Sequence, residues 1–326
     1  MHSMKRFGFT FALSLAAAAC GSSETTSSTT STSSTSTGAG GEATTTSTGT
    51  GTSTSGSGGS GGGAAALVVQ TYASDPAGPA VDSHLVLGST EAVLVDGQFF
   101  KADAAKVIDL VKASGKTLTT VFLTHAHPDH YLGLDPIHAA FPQAKIVTTA
   151  AVLAEFKLKA PGTFTYLKGM LTDQIADALT TPEALTGTTI LVDGQELTVV
   201  EAAHAGESGS AAGLALPGKK ALIAGDLVYH DIHLVLAECE WQGWIDNLTA
   251  LKGLGFETFY PGHGTKTDMA VLDADAEYIK AVIPIMNGAA TAADAKAAIK
   301  QKYTTYGSDY LLGFSVDSYF TACKKP

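Results

Sequence analysis

A hydrophobic stretch, Leu118–Leu123, runs straight into Thr124-His125-Ala126-His127-Pro128-Asp129-His130. The stretch reads as a buried strand, and Gly133 soon after it opens a helical pattern. The histidines therefore lie in a strand-end loop. In such a loop alternate residues point the same way, so His125 and His127 face one point while Asp129 and His130 turn toward a neighbouring one. Imidazole with carboxylate is a donor set suited to zinc, with iron or manganese as alternatives.

The surroundings of this loop alternate between strand pairs and helices. Leu67–Ala73, Val81–Leu87 and Ala92–Val95 are β-rich runs broken by turn dipeptides, and Lys101–Ala113 carries a helical apolar face. Residues 133–141 read as a helix, Lys145–Thr148 as a strand, and 150–180 as helix broken at Pro161-Gly162. Thr188–Val192 and Glu196–Ala202 flank Asp193-Gly194, a hairpin turn. Ala211–Leu216 and Lys220–Ala224 pair around Pro217-Gly218, an amphipathic helix surrounds Trp244, and Glu257–Tyr260 is a last strand before an Ala-rich helical end. The pattern predicts a layered α/β domain with sheet inside and helices outside.

The N-terminal segment is of another kind. Residues 1–20 combine Lys5 and Arg6, an apolar run from Phe7 to Ala19 and small residues before Cys20. The run is shorter than the ~20 residues that cross a bilayer, so it reads as an export signal. Its ending resembles a lipobox, with Ala17 where leucine is usual, which implies lipid on Cys20. Residues 21–66 are almost wholly Ser, Thr, Gly and Ala, a composition that buries too little to fold and serves as a flexible linker. The formal charge is −11, from 20 Lys and Arg against 31 Asp and Glu, with no basic block. That balance excludes nucleic acid as a partner and leaves the lipid on Cys20 as the sole membrane attachment. Cys239 and Cys323 remain as a pair or as two separate thiols.

The order of motifs from 67 to 265 resembles the metallo-β-lactamase superfamily, and the resemblance implies a four-layer αββα sandwich. Residues 266–326 lie outside the resemblance and read from their Ala-rich pattern as a helical C-terminal extension packed on that domain. It also implies two metal sites. The first would use His125, His127 and His204, the last from Glu201-Ala-Ala-His204-Ala, where the loop departs from the family pattern. The second would use Asp129, His130 and His263, the last from Tyr260-Pro-Gly-His263-Gly. Asp226, in Ala224-Gly225-Asp226, matches the bridging carboxylate, and Asp96 matches an aspartate that supports the metal loop. Tyr229, three residues after Asp226, matches a tyrosine that in the family's lactonases hydrogen-bonds the substrate.

Such ligands suit two zinc ions about 3.5–4 Å apart sharing a hydroxide that attacks a small-molecule substrate. Asp129 could also shuttle the proton. A bridging aspartate points toward the glyoxalase II and lactonase branches, hence an exported enzyme cleaving an ester, thioester or lactone. The alternatives are a β-lactam hydrolase or a mono-iron sulfur dioxygenase. Oligomeric state is not legible in this sequence.

Overall fold

The computed structural model describes residues 66–324. The export signal, Cys20 and nearly all of the Ser/Thr/Gly tract fall outside the described residues. The first sheet contains β1 (Val68–Ala73), β2 (Asp82–Leu87), β3 (Glu91–Val95), β4 (Thr117–Phe122), β5 (Lys145–Thr148) and β6 (Glu183–Ala184), side by side in that order. Its first three strands are antiparallel and the rest add in parallel. The second sheet contains β7 (Thr189–Val192), β8 (Gln195–Glu201), β9 (Ala212–Ala215), β10 (Ala221–His230), β11 (Thr258–Gly264) and β12 (Thr267–Asp268). Here β10 and β11 pair in parallel and the other neighbours are antiparallel.

The helices are α1 (Lys101–Ser114), α2 (Pro128–Tyr131), α3 (Leu134–Ala140), α4 (Ala150–Leu171), α5 (Trp241–Lys252), α6 (Ala270–Gly288), α7 (Ala292–Lys302) and α8 (Asp309–Ser318). They cover the outer faces of the two sheets, and the two-residue period of a strand sorts side chains between the layers. In β3, Ala92 and Leu94 pack with Val107 and Val111 of α1, whereas Val93 and Val95 point between the sheets. In β10, Leu222 and Ala224 face Trp244, Leu248 and the C-terminal helices, while Ile223 joins the core between the sheets. Three apolar layers separated by two sheets make an αββα sandwich, and α6 to α8 share the core of the second sheet's outer face.

One element differs from the sequence reading. Helix α4 runs through Pro161 without a break and ends at Leu171, so that residues 175–180, read as helical, are irregular. A proline inside a helix costs about 3 kcal/mol through the lost N–H and ring clash. Burial of Phe156 and Ala160 before it and of Leu167 and Leu171 after it outweighs that cost.

Two isolated bridges, Val81 to His263 and His125 to Ala211, tie the sheets together where the loop after β4 meets the end of β11. The candidate site lies there.

Candidate metal centre

The loop after β4 is held from behind by Asp96. This buried residue follows β3 with a left-handed backbone (φ 63°). Its Oδ1 accepts the Thr124 amide at 2.9 Å, and its Oδ2 accepts the Thr124 hydroxyl at 2.8 Å. The Thr124 hydroxyl is then free to accept from His125 Nδ1 at 2.9 Å, and His130 Nδ1 donates to Asp96 Oδ2 at 2.9 Å. His263 Nδ1 donates to the Ala80 carbonyl at 3.0 Å. Each imidazole is thus fixed through one nitrogen and presents the other to a common centre, as metal-ligating histidines do.

Two groups of donors meet there. His125, His127, Glu207 and Asp226 form one, and Asp129, His130 and His263 the other; within each the donor atoms lie within 4.8 Å of one another. Asp226 connects them. Its Oδ1 is 3.2 Å from His130 Nε2, and its Oδ2 is 3.1 Å from His263 Nε2 and 3.8 Å from His125 Nε2. Asp129 Oδ2 stands 3.5 Å from His263 Nε2, and His127 Nδ1 is 3.0 Å from Glu207 Oε1. His125 Nε2, His130 Nε2, Glu207 Oε2 and Asp226 Oδ1 are buried without a hydrogen-bond partner. Polar atoms are seldom left so in a native interior. Four of them converging from imidazole and carboxylate groups fit divalent metal ions. Glycine makes the approach feasible: a Cβ on Gly262 would lie 1.9 Å from Asp226 Oδ1.

Six of the seven ligands expected from the sequence converge: His125, His127, Asp129, His130, Asp226 and His263. His204 does not. It is exposed and belongs to neither donor group. Its backbone is clasped by Asn247 of α5, which accepts the His204 amide at 3.0 Å and donates to its carbonyl at 2.8 Å. The clasp fixes the backbone of a residue whose side chain lies at the surface. Three residues later Glu207, only 4% exposed, brings a carboxylate to the place expected for the third histidine. Sequence reading passes over Glu207 because a histidine stands nearby. The available signal is the Gly206-Glu207-Ser208-Gly209 segment, where small residues let the chain enter the site.

Tyr229 also differs from expectation. It is fully buried, its hydroxyl donates to Asp226 Oδ2 at 2.6 Å, and its ring stacks on His263 at 4.8 Å. A buried hydroxyl already committed to Asp226 orients that carboxylate instead of meeting substrate. Cys239 and Cys323 form a disulfide across 84 residues.

Electrostatics follow from burial with close charges. Burial lowers His125, with the neighbouring His130 adding to the effect, so its imidazole sits well below the ordinary histidine value. Burial also opposes charge on His127, but Glu207 and Glu238 outweigh it and hold that ring well above. His130 is likewise raised by Asp226 and Asp129 against burial, and His263 reaches about 10 for the same reason. Burial raises Glu207 to about 7 despite His127 beside it. In Asp129, burial is outweighed by His130 and His263, leaving its carboxyl at about 2.

A pH-linked prediction follows. His127, His130 and His263 hold protons at pH 7 in the metal-free protein, and metal binding requires them neutral. Raised pKa values mean that protons compete with metal, so affinity should rise as pH rises above neutrality, with the His263 proton lost near about 10. Calorimetric metal titrations in two buffers of different ionisation enthalpy should show net proton release at pH 7; none would contradict this charge state.

Comparison with known proteins agrees with this geometry. The model of the metallo-beta-lactamase superfamily matches residues 77–263, more than half of the chain, and the chain belongs to that superfamily. A metallo-beta-lactamase family protein from Thermus thermophilus aligns with a TM-score of 0.56 at 19% identity, covering 78% of this chain and 93% of that one. A metallo-beta-lactamase from Pontibacter korlensis gives a TM-score of 0.49 at 21% identity over 66% of this chain and 99% of its own. At such identities the likeness concerns the fold. The uncharacterised protein YobT of Bacillus subtilis (strain 168) is 36% identical over 72 residues, which span 22% of this chain and 30% of YobT.

Proposed function

We propose that this protein is an exported hydrolase that holds two divalent metal ions, zinc first among them, and cleaves an ester-, thioester- or lactone-type bond of a small molecule. The observation that carries the reading is Asp226 lying between two donor groups whose buried atoms lack other partners. Divalent ions bound there would polarise a carbonyl oxygen and supply hydroxide at neutral pH.

The chain's own residues argue for the bond class. Asp129 is the most open carboxylate of the centre, its side chain 19% exposed against 2% for Asp226 and Glu207. Held ionised by His130 and His263, it carries no proton to give a leaving group at neutral pH. An amide nitrogen needs a proton to depart, whereas an alkoxide, thiolate or carboxylate does not. Tyr229 keeps Asp226 in place from behind. The Cys239–Cys323 disulfide supports export, since such bonds persist in oxidising compartments. Export with lipid on Cys20 is part of the same reading.

The test is a metal count on purified protein together with a panel of lactones, thioesters, cephalosporins and phosphodiesters. Two ions per chain with cleavage of lactones or thioesters is the expected result. Efficient cephalosporin hydrolysis without esterase or lactonase activity would overturn the bond class. One iron per chain and no hydrolysis would support a sulfur dioxygenase instead.

A further inference from the structure

His127 meets the first donor group through Nδ1, so its second nitrogen points away from the centre. Glu238 stands there, with Oε1 at 3.4 Å from His127 Nε2. Glu238 belongs to the irregular segment between β10 and α5, so no ladder of sheet hydrogen bonds holds it. Three other ties do. Lys159 of α4 donates to both of its carboxylate oxygens, at 3.3 and 3.2 Å. The next residue, Cys239, is left-handed (φ 65°) and cross-linked to Cys323, beyond the end of α8. Upstream, the Leu236 amide donates to Ser315 Oγ of α8 at 2.8 Å. Lys159 also pairs with Glu155 at 2.7 Å, and Glu155 accepts the Gly209 amide at 3.2 Å, two residues beyond Glu207. One lysine therefore links the supports behind His127 and Glu207.

We infer that Glu238 is a positioning residue for the first metal-ligand group, orienting His127 through its outer nitrogen, and that the Cys239–Cys323 disulfide and Lys159 hold Glu238 in place. The inference rests on the metal-centre reading above. Its physical basis is that a carboxylate on the outer nitrogen of a ligating imidazole fixes the tautomer and ring orientation and raises ligand basicity. The C-terminal helices thereby anchor, through one covalent bond, the segment that presents Glu238. The disulfide makes the first site sensitive to reduction. Two electrons and two protons convert the bond to two thiols, and the segment loses its covalent anchor.

The experiment is a competition titration of Zn2+ against a chromophoric chelator on the full chain, resolving the two binding steps. Glu238→Ala should weaken the first-group step about 10–100-fold, the range seen when such outer partners are removed, and leave the step at Asp129, His130 and His263 unchanged. Glu238→Gln, which keeps an acceptor for the imidazole N–H but not its charge, should fall between. Replacing both cysteines by serine, or reducing the wild type with a phosphine that leaves zinc bound, should shift the same step in the same direction and by no more. Thermal unfolding of the metal-free variants identifies any that fail to fold, and the reduced wild type then carries the test. Equal weakening of both steps, or none in Glu238→Ala, overturns the inference while the metal centre stands. A wild type that binds no zinc overturns both.

Discussion

Glu207→Ala should leave a protein that retains one tightly bound metal ion per chain instead of two, with turnover reduced by more than about 100-fold. An outer partner of a ligand already accounts for about 10–100-fold, and a donor inside the group should exceed it. Glu207 faces His127 at 3.0 Å and has its second oxygen buried without a hydrogen-bond partner, so its loss removes a donor from the first group. His204→Ala is the control. Its side chain is exposed, and the Asn247 clasp holds backbone atoms that alanine keeps, so metal content and rate should match wild type. Elemental analysis after dialysis against a weak chelator reads the first quantity and steady-state rates the second. The reverse pattern, with His204→Ala losing an ion and Glu207→Ala keeping both, would place the third donor at the histidine after all.

The second large effect is expected at Asp226. Asp226→Asn keeps the shape of the side chain but removes the one charge that both donor groups share. Taking away one partner of a buried charge pair costs about 3–5 kcal/mol. For each ion that is roughly 10²-fold to several thousand-fold in affinity. Both ions should weaken together, which separates this variant from Glu207→Ala. The metal-free protein should also be destabilised, because the carboxylate, burial notwithstanding, is kept ionised by His263 and His130 beside it. Its removal leaves buried imidazolium groups with less compensation. Denaturant titration of the metal-free variant measures this, and an unchanged midpoint would show that Asp226 carries little charge before metal arrives.

Much of this centre is legible in the chain alone. His125, His127, Asp129 and His130 are adjacent in sequence, and a strand that ends in a loop leaves few ways for them to point. Asp226 and His263 are legible only through the resemblance of their motifs to the metallo-β-lactamase superfamily; in the structure each sits beside a glycine, Gly225 and Gly262, where the backbone approaches closely. The apolar runs of β2, β3 and β10 likewise mark strands buried on both faces, but which face meets helices and which meets the other sheet is decided by the packing.

Tertiary structure decided the rest, and in each case the deciding contact comes from far along the chain. His204 and Glu207 are three residues apart in a loop with no regular pattern, and in the fold the first is exposed, its backbone held by Asn247 of α5, while the second is buried in the donor group. Tyr229 has the spacing of a substrate contact, but its ring packs on His263 and its hydroxyl on Asp226, so burial redirects it. Pro161 carries a local signal to stop a helix, which the burial of Phe156, Ala160, Leu167 and Leu171 overrides. Cys239 and Cys323 are separated by 84 residues, and only the packing of α6 to α8 on the second sheet brings their Cα atoms to 5.4 Å. Local sequence sets what a strand end can present; contacts between distant elements determine which side chain occupies the position.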